Sequence, residues 1–356
     1  MSEVSPAVEA LDEMDKSLLN AAQAEFPLCT RPYQALAQAI GSTEDEVLRR
    51  FAGLKAKGLI RQTSAIFDTR ALGYKSTLVA MKFDPAQLDA GAMVVNQHPG
   101  VSHNYKREHV YNLWFTLAVP REGNLKRVID KLHADSGAQD TIILPTLRLY
   151  KIGVNFDMKA AVDASKGGEL RKDDKLGDFR QVTERDKAGI RAAQEDLPVV
   201  AEPFMVWARQ LGWAEPELFA WLEDMKARKF YRRFASILRH RAAGFADNAM
   251  AVWIVPEERS DELGFKMAAF KAVTHCYKRP TFPSWPYNVF TMVHGRSKED
   301  CETVVQAIQA ETGLPEYRML YSTREYKKER VKYFVETPEQ LMADPPHPSA
   351  IAATLP

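Results

Sequence analysis

His103-Asn104-Tyr105-Lys106-Arg107 and His275-Cys276-Tyr277-Lys278-Arg279 are two copies of one phrase, His-x-Tyr-Lys-Arg. Each stands shortly before a Tyr-Asn pair that heads an apolar run, Tyr111-Asn112 in the first copy and Tyr287-Asn288 in the second. In an extended strand alternate side chains share a face, so histidine, tyrosine and arginine project together and the lysine projects oppositely. A titratable donor, a phenol and a fixed cation on one face suit an anionic ligand. Because the phrase is doubled, the chain builds that site from two related halves.

Outward from the phrase, an offset of 171 relates Asp15-Lys16 to Asp186-Lys187, Pro32 to Pro203, Gly41 to Gly212, Lys55 to Lys226, Arg61 to Arg232, Ile66 to Ile237 and Gly73 to Gly244. The offset becomes 172 at His103/His275 and 176 at Tyr111/Tyr287, because Pro280–Pro286 replaces the shorter Glu108-His109-Val110. A repeat of this length is a duplicated domain pair, not a solenoid unit. In the first half, Asp12–Ala24, Tyr33–Ile40 and Thr43–Lys57 show helical spacing, Gly41-Ser42 separates the second from the third, and Gly58 precedes a strand over Leu59–Phe67. Three short helices and a strand pair make a winged helix-turn-helix. Strand Thr77–Phe83, helix Pro85–Asn96, strands Val101–Arg107 and Tyr111–Val119, helix Asn124–Ser136 and strand Ile142–Tyr150 then follow. That order, βαββαβ, is the split ferredoxin-like pattern, and the second half repeats it from Asn248 to about Tyr321.

The fold class is therefore α+β, in two tandem units. The expected domains are a winged helix-turn-helix over 10–70, a ferredoxin-like domain over 71–160, a polar linker over 161–180, a second winged helix-turn-helix over 181–241 and a second ferredoxin-like domain over 242–335, with a Pro/Ala-rich, disordered tail over 336–356. Apolar residues at 46% and charged residues at 27% are ordinary for a soluble globular chain, and no apolar run has the length of a membrane span. The acidic start carries no secretory pattern, so a cytoplasmic protein is expected. Three cysteines without CxxC spacing argue against a disulfide framework, a zinc site and covalent haem attachment. A net charge of +1 argues against indiscriminate nucleic-acid binding.

HPGVSHNYKREHVYNLWFTL in the first half and THCYKRPTFPSWPYNVFTMVHG in the second, set on winged-helix and βαββαβ domains, resemble the Lrp/AsnC family and, within it, the siroheme decarboxylases in their fused two-subunit form. The resemblance covers nearly all of residues 12–334. It implies an intramolecular pseudo-dimer, with a homo-oligomer as a further expectation. It also implies loss of carbon dioxide from the acetate groups at C12 and C18 of siroheme, giving didecarboxysiroheme for heme d1 or alternative haem synthesis. No cofactor is implied beyond the iron that siroheme itself carries.

The chemistry asks for a proton donor, carboxylate clamps and apolar walls. Histidine titrates nearest neutrality, so His103, His109 and His275 are the catalytic candidates, with His294 beside them in the second copy. The imidazole of His275 or His103 is a candidate axial ligand to the substrate iron. Arg107 and Arg279 suit bidentate carboxylate binding, and Arg61, Arg232, Arg233 and Arg239 extend that set from the wing region. Tyr105, Tyr277, Tyr287, Trp114 and Trp285 are candidate pocket walls, for which ordinary core packing is the plainer alternative. The helix expected to read DNA opens Ser42-Thr43-Glu44-Asp45-Glu46, and its counterpart opens Ala214-Glu215-Pro216-Glu217. Acidic residues there repel phosphate, so DNA is not an expected partner. A DNA-binding regulator and a non-catalytic tetrapyrrole sensor are the two alternatives.

Overall fold

The computed structural model describes residues 11–152, 181–238, 247–295 and 297–337. The expected linker and nearly all of the expected tail lie outside them. The chain divides into two compact units, one comprising the chain up to Ala71 with Thr146–Ser322, the other Leu72–Pro145 with Thr323 onwards.

The first unit opens with helices α1 (Glu13–Ala24), α2 (Pro32–Ile40) and α3 (Glu44–Ala56), and holds their repeats α6 (Glu184–Ala193), α7 (Pro203–Leu211) and α8 (Glu215–Ala227). Their ends obey local chemistry. Asp12 and Thr43 cap α1 and α3 by accepting the amides of Asp15 and Glu46, and Thr183 forms a capping box with Asp186 at α6. Gly41 and Gly212 close α2 and α7 in the left-handed region, at φ of 71° and 68°. Each trio leads into one strand, β1 (Ile60–Phe67) or β7 (Tyr231–Leu238).

These two strands pair antiparallel with each other, Ser64 opposite Ala235, rather than each with a wing strand of its own copy. The expected strand pair within the first copy is thus replaced by a pair between copies. Burial explains why. Thr63 and Ser236 share a buried hydroxyl–hydroxyl bond of 2.8 Å, and Phe234 packs between Phe26 (6.1 Å) and Phe204 (5.5 Å), so the two helical trios share one aromatic core.

The same unit carries β6 (Arg148–Ile152), β8 (Asp247–Trp253), α9 (Ser260–Ala268), β9 (Val273–Lys278), β10 (Val289–Gly295), α10 (Lys298–Thr312) and the start of β11 (Tyr317–Lys328). The strand order is β11-β8-β10-β9-β6. Trp253, Leu263, Met267, Cys276, Val289, Val293, Val304 and Ile308 fill the layer between sheet and helices. The second unit holds β2 (Lys75–Lys82), α4 (Leu88–Asn96), β3 (Val101–Arg107), β4 (Leu113–Val119), α5 (Leu125–Ser136) and β5 (Asp140–Leu144), in the order β5-β2-β4-β3, with the end of β11 beside β3. Each βαββαβ copy therefore has its fourth, first, third and second strands in that order across the sheet.

A single strand expected over Ile142–Tyr150 is instead two. Pro145 cannot donate to a ladder, β5 ends before it, and β6 pairs with β9 of the second copy, Leu149 opposite Tyr277. Close approach also shapes the entry to β3, where a Cβ on Gly100 would meet the Ala118 carbonyl oxygen at 1.9 Å.

The repeated Tyr-Asn pair has a structural use. Asn112 donates to the carbonyl of Phe83 and accepts its amide, both at 2.9 Å, and Asn288 does the same with Val255 at 2.8 and 2.9 Å. Each amide side chain extends the ladder one step beyond the hairpin and ties it to the first strand of its copy. Asn288→Ala leaves the buried Val255 amide and carbonyl without these partners. The expected loss is about 2 kcal/mol of stability, measured by urea unfolding against Asn288→Asp and wild type.

Candidate active site

In the second unit, β3 carries the first phrase. The pairing with β4 shifts between Val101 and His103, a bulge at Ser102. The bulge turns the serine hydroxyl to its neighbour, Oγ lying 3.0 Å from His103 Nδ1. The His103 and Tyr105 rings are 6.3 Å apart, and the Arg107 guanidinium carbon lies 5.7 Å from the Tyr105 centroid. Arg107 is buried, which pulls its pKa down to about 10. Trp114 on β4 stands opposite Tyr105, is buried, and donates its indole N–H to the Tyr111 carbonyl at 2.6 Å. At the hairpin tip the Tyr111 amide donates to His109 Nδ1 at 3.1 Å, and the Tyr111 hydroxyl donates to Asp140 at 2.6 Å.

The first unit repeats this arrangement on β9. Thr274 occupies the corresponding bulge, its Oγ1 2.9 Å from His275 Nδ1. His275 and Tyr277 lie 6.0 Å apart and nearly parallel, and the buried Arg279 guanidinium sits 4.9 Å from the Tyr277 ring and 5.5 Å from Phe290. Such cation–ring contacts hold the guanidinium in place without neutralising it. Burial brings Arg279 down to about 10 as well. The inserted Phe282–Pro286 closes on itself, Phe282 and Trp285 exchanging backbone hydrogen bonds of 2.8 Å, and Trp285 is fully buried against Tyr287 (5.0 Å) and Phe290 (6.0 Å). His294 lies two residues beyond Met292, the cross-strand partner of His275, and so shares the histidine face.

The wing ribbon adds cations to this half. Asp68 accepts from Arg232 at 3.0 Å and from the Arg70 and Ala71 amides, which turns the chain so that both arginines lie in the field of Tyr277. Arg70 is half-buried; burial lowers its pKa, with Asp68 and Tyr277 opposing. Among the described residues no hydrogen bond or ion pair reaches its guanidinium. Three arginines, one carboxylate and one phenol leave a positive excess partly out of water. An anionic ligand offsets that excess.

The structure thus gathers His275, Tyr277, Arg279, Tyr287, His294 and Arg232 in one unit, and His103, Tyr105, Arg107, His109 and Trp114 in the other. Strand alternation sends Arg233 to the opposite side of β7 from Arg232. Arg61 lies half-buried at an irregularity of β1, and Arg239 falls outside the described residues. Lys278 leaves the histidine face, as alternation requires, and bonds Ser260 on the helix side at 2.8 Å.

Sequence reasoning missed Arg70, Ser102 and Thr274. The last two keep the offset of 172 and both carry a hydroxyl, and Arg70 has Arg241 at the offset of 171, so the repeat itself held the signal.

Burial, then the charge of Lys151, lowers the pKa of His275 from 6.5 to about 4, so the resting imidazole is neutral. Between those values the unfolded chain binds the proton more readily. Stability from the neutral group is therefore present above about pH 6.5 and is lost as pH falls toward 4. Over that window His275→Gln should lose on the order of 2 kcal/mol less than wild type, seen as a flatter plot of unfolding free energy against pH. Parallel plots would contradict the assignment.

On the helix-turn-helix surfaces Arg49, Arg50 and Arg228 are paired with carboxylates. Arg49 and Arg50 both bond Glu46 at 2.6 Å, Arg50 also reaches Asp12 and Asp15, and Arg228 bonds Asp186 and Asp224. Among the described residues no cluster of three or more ligand-type side chains fits a metal ion, and no helix is long and apolar enough to cross a membrane.

Residues 71–151 and 242–327 match a family described as the AsnC-like ligand binding domain, and residues 15–61 and 186–232 match the siroheme decarboxylase NirDL-like HTH domain. The chain is 40% identical to a siroheme decarboxylase of Hydrogenobacter thermophilus, across 91% of this chain and 96% of that one. It is 33% identical to a siroheme decarboxylase NirDL subunit of Paracoccus pantotrophus, across 89% and 96%. Among solved structures it resembles siroheme decarboxylase NirDL in complex with an iron-uroporphyrin III analogue, with a TM-score of 0.71, 34% identity and coverage of 93% and 96%.

Proposed function

The chain belongs to the siroheme decarboxylase family, and from that premise we propose that it removes carbon dioxide from two acetate side chains of siroheme, at C12 and C18, in the synthesis of heme d1 or an alternative haem. The observation that carries this reading is the doubled face of histidine, tyrosine and buried arginine. The carboxylates of a tetrapyrrole call for fixed cations, and such cations are present in each unit, Arg279, Arg70 and Arg232 in the first and Arg107 in the second.

In each decarboxylation the bond between methylene and carboxyl carbon breaks. Carbon dioxide leaves, and its electron pair stays on the methylene carbon, delocalised into the conjugated macrocycle. A proton from the protein then completes the methyl group. The step is redox-neutral and needs no cofactor beyond the iron carried by the substrate. Holding the carboxylates, excluding water and placing a histidine proton are the protein's tasks. His103, His109 and His275 are the residues to which we assign the proton transfers and the iron contact.

Anaerobic incubation with siroheme tests the reading by carbon dioxide release, expected at two molecules per siroheme. Binding of siroheme without release would overturn it and leave a tetrapyrrole sensor. A regulator is disfavoured because Arg49 and Arg50 of α3, and Arg228 just after α8, are tied to carboxylates. A sequence-selective gel shift that falls steeply with salt would restore that reading.

A further inference from the structure

We propose that Thr274 is a positioning residue that commits His275 to its Nδ1–H tautomer, so that Nε2 offers a lone pair and His275 acts as ligand or proton acceptor, never as the resting acid. The inference deepens the proposed function and rests on it for the identity of the bound tetrapyrrole.

In a regular strand Thr274 would face away from His275. The bulge between β9 and β10 brings both to one side. Thr274 Oγ1 then has two neighbours, His275 Nδ1 at 2.9 Å and the Met292 carbonyl oxygen at 3.3 Å. A carbonyl only accepts, and we assign the single hydroxyl proton to Met292. The hydroxyl oxygen is left as an acceptor, and Nδ1 must be the donor. One proton on a neutral imidazole then leaves Nε2 bare, and among the described residues nothing hydrogen-bonds it. The low basicity of His275 agrees, since burial keeps the ring neutral.

The first copy is built differently. Ser102 Oγ lies 3.0 Å from His103 Nδ1 but engages no carbonyl among the described residues, so its proton is not committed elsewhere. At His109 the roles invert. The Tyr111 amide can only donate, at 3.1 Å to Nδ1, so neutral His109 carries its proton on Nε2. Each partner thus fixes a tautomer within its own copy, Nδ1–H at His275 through the threonine hydroxyl and Nε2–H at neutral His109 through the backbone amide.

The test uses the full chain, ligand-free and labelled with 15N-histidine. His275→Gln identifies the His275 signals. Wild type should show the proton on Nδ1, Thr274→Ser should keep it there, and Thr274→Val should move the ring toward the Nε2–H form. Iron-uroporphyrin then serves as the probe, and its axial-imidazole band should need about tenfold more protein in Thr274→Val and stay within about twofold in Thr274→Ser. A wild-type proton on Nε2, or a valine variant with unchanged tautomer, overturns the inference. If the tautomer is as stated but siroheme is not decarboxylated, the function falls and the positioning role stands.

Discussion

Alanine in place of His109 should lower the turnover number on siroheme by about 10²–10³-fold while KM stays within about threefold. His109 Nδ1 is occupied by the Tyr111 amide, so the neutral ring holds its proton on the other nitrogen. The hairpin tip keeps that geometry with backbone alone, because the His109 amide also donates to the Arg107 carbonyl at 2.9 Å. Removing the ring takes away a hydrogen-bond donor to charge developing on the substrate without taking away a carboxylate clamp, which is why the effect belongs in kcat. Steady-state rates under anaerobic conditions measure it. Wild-type turnover in His109→Ala would take His109 out of the catalytic set and leave that role to His103.

Arg279→Met should weaken siroheme binding on the order of 30–100-fold, the loss of one bidentate, charge-assisted contact. Arg279→Lys should recover little of it, since an ammonium does not reproduce the planar fork. The ligand-free variant should nonetheless be at least as stable as wild type. A guanidinium whose pKa is drawn down to about 10 sits where its charge is disfavoured, and methionine fills similar volume without that cost. Equilibrium titration and urea unfolding, run together, separate the two effects. Weaker binding accompanied by a large loss of stability would mean that Arg279 is a structural cation and not a clamp.

Much of this was legible in the chain because it depends on local periodicity. Alternation in His103–Arg107 placed three side chains on one face and sent lysine to the other, and the glycines after α2 and α7 marked those helix ends. Pairing partners were not legible. Period-two alternation states which face a residue takes but not which strand lies beside it, so the β1–β7 ribbon and the crossing of β6 to β9 were missed. Ser102 and Thr274 were missed because a bulge reverses the alternation on which the reading relied. Arg70 was missed because its place depends on the Asp68 turn, not on any strand pattern. His109, His294 and the Phe282–Pro286 insertion make the two copies unequal, and the hydroxyl partners of His103 and His275 give that inequality a chemical content.

The most direct measurement of the central claim is the product mass after anaerobic turnover of siroheme in deuterated water. Decarboxylation with a histidine relaying the solvent proton predicts a tetrapyrrole lighter by two carbon dioxide units and carrying one solvent deuteron in each new methyl group. Unchanged siroheme, recovered after binding has been confirmed, would contradict it.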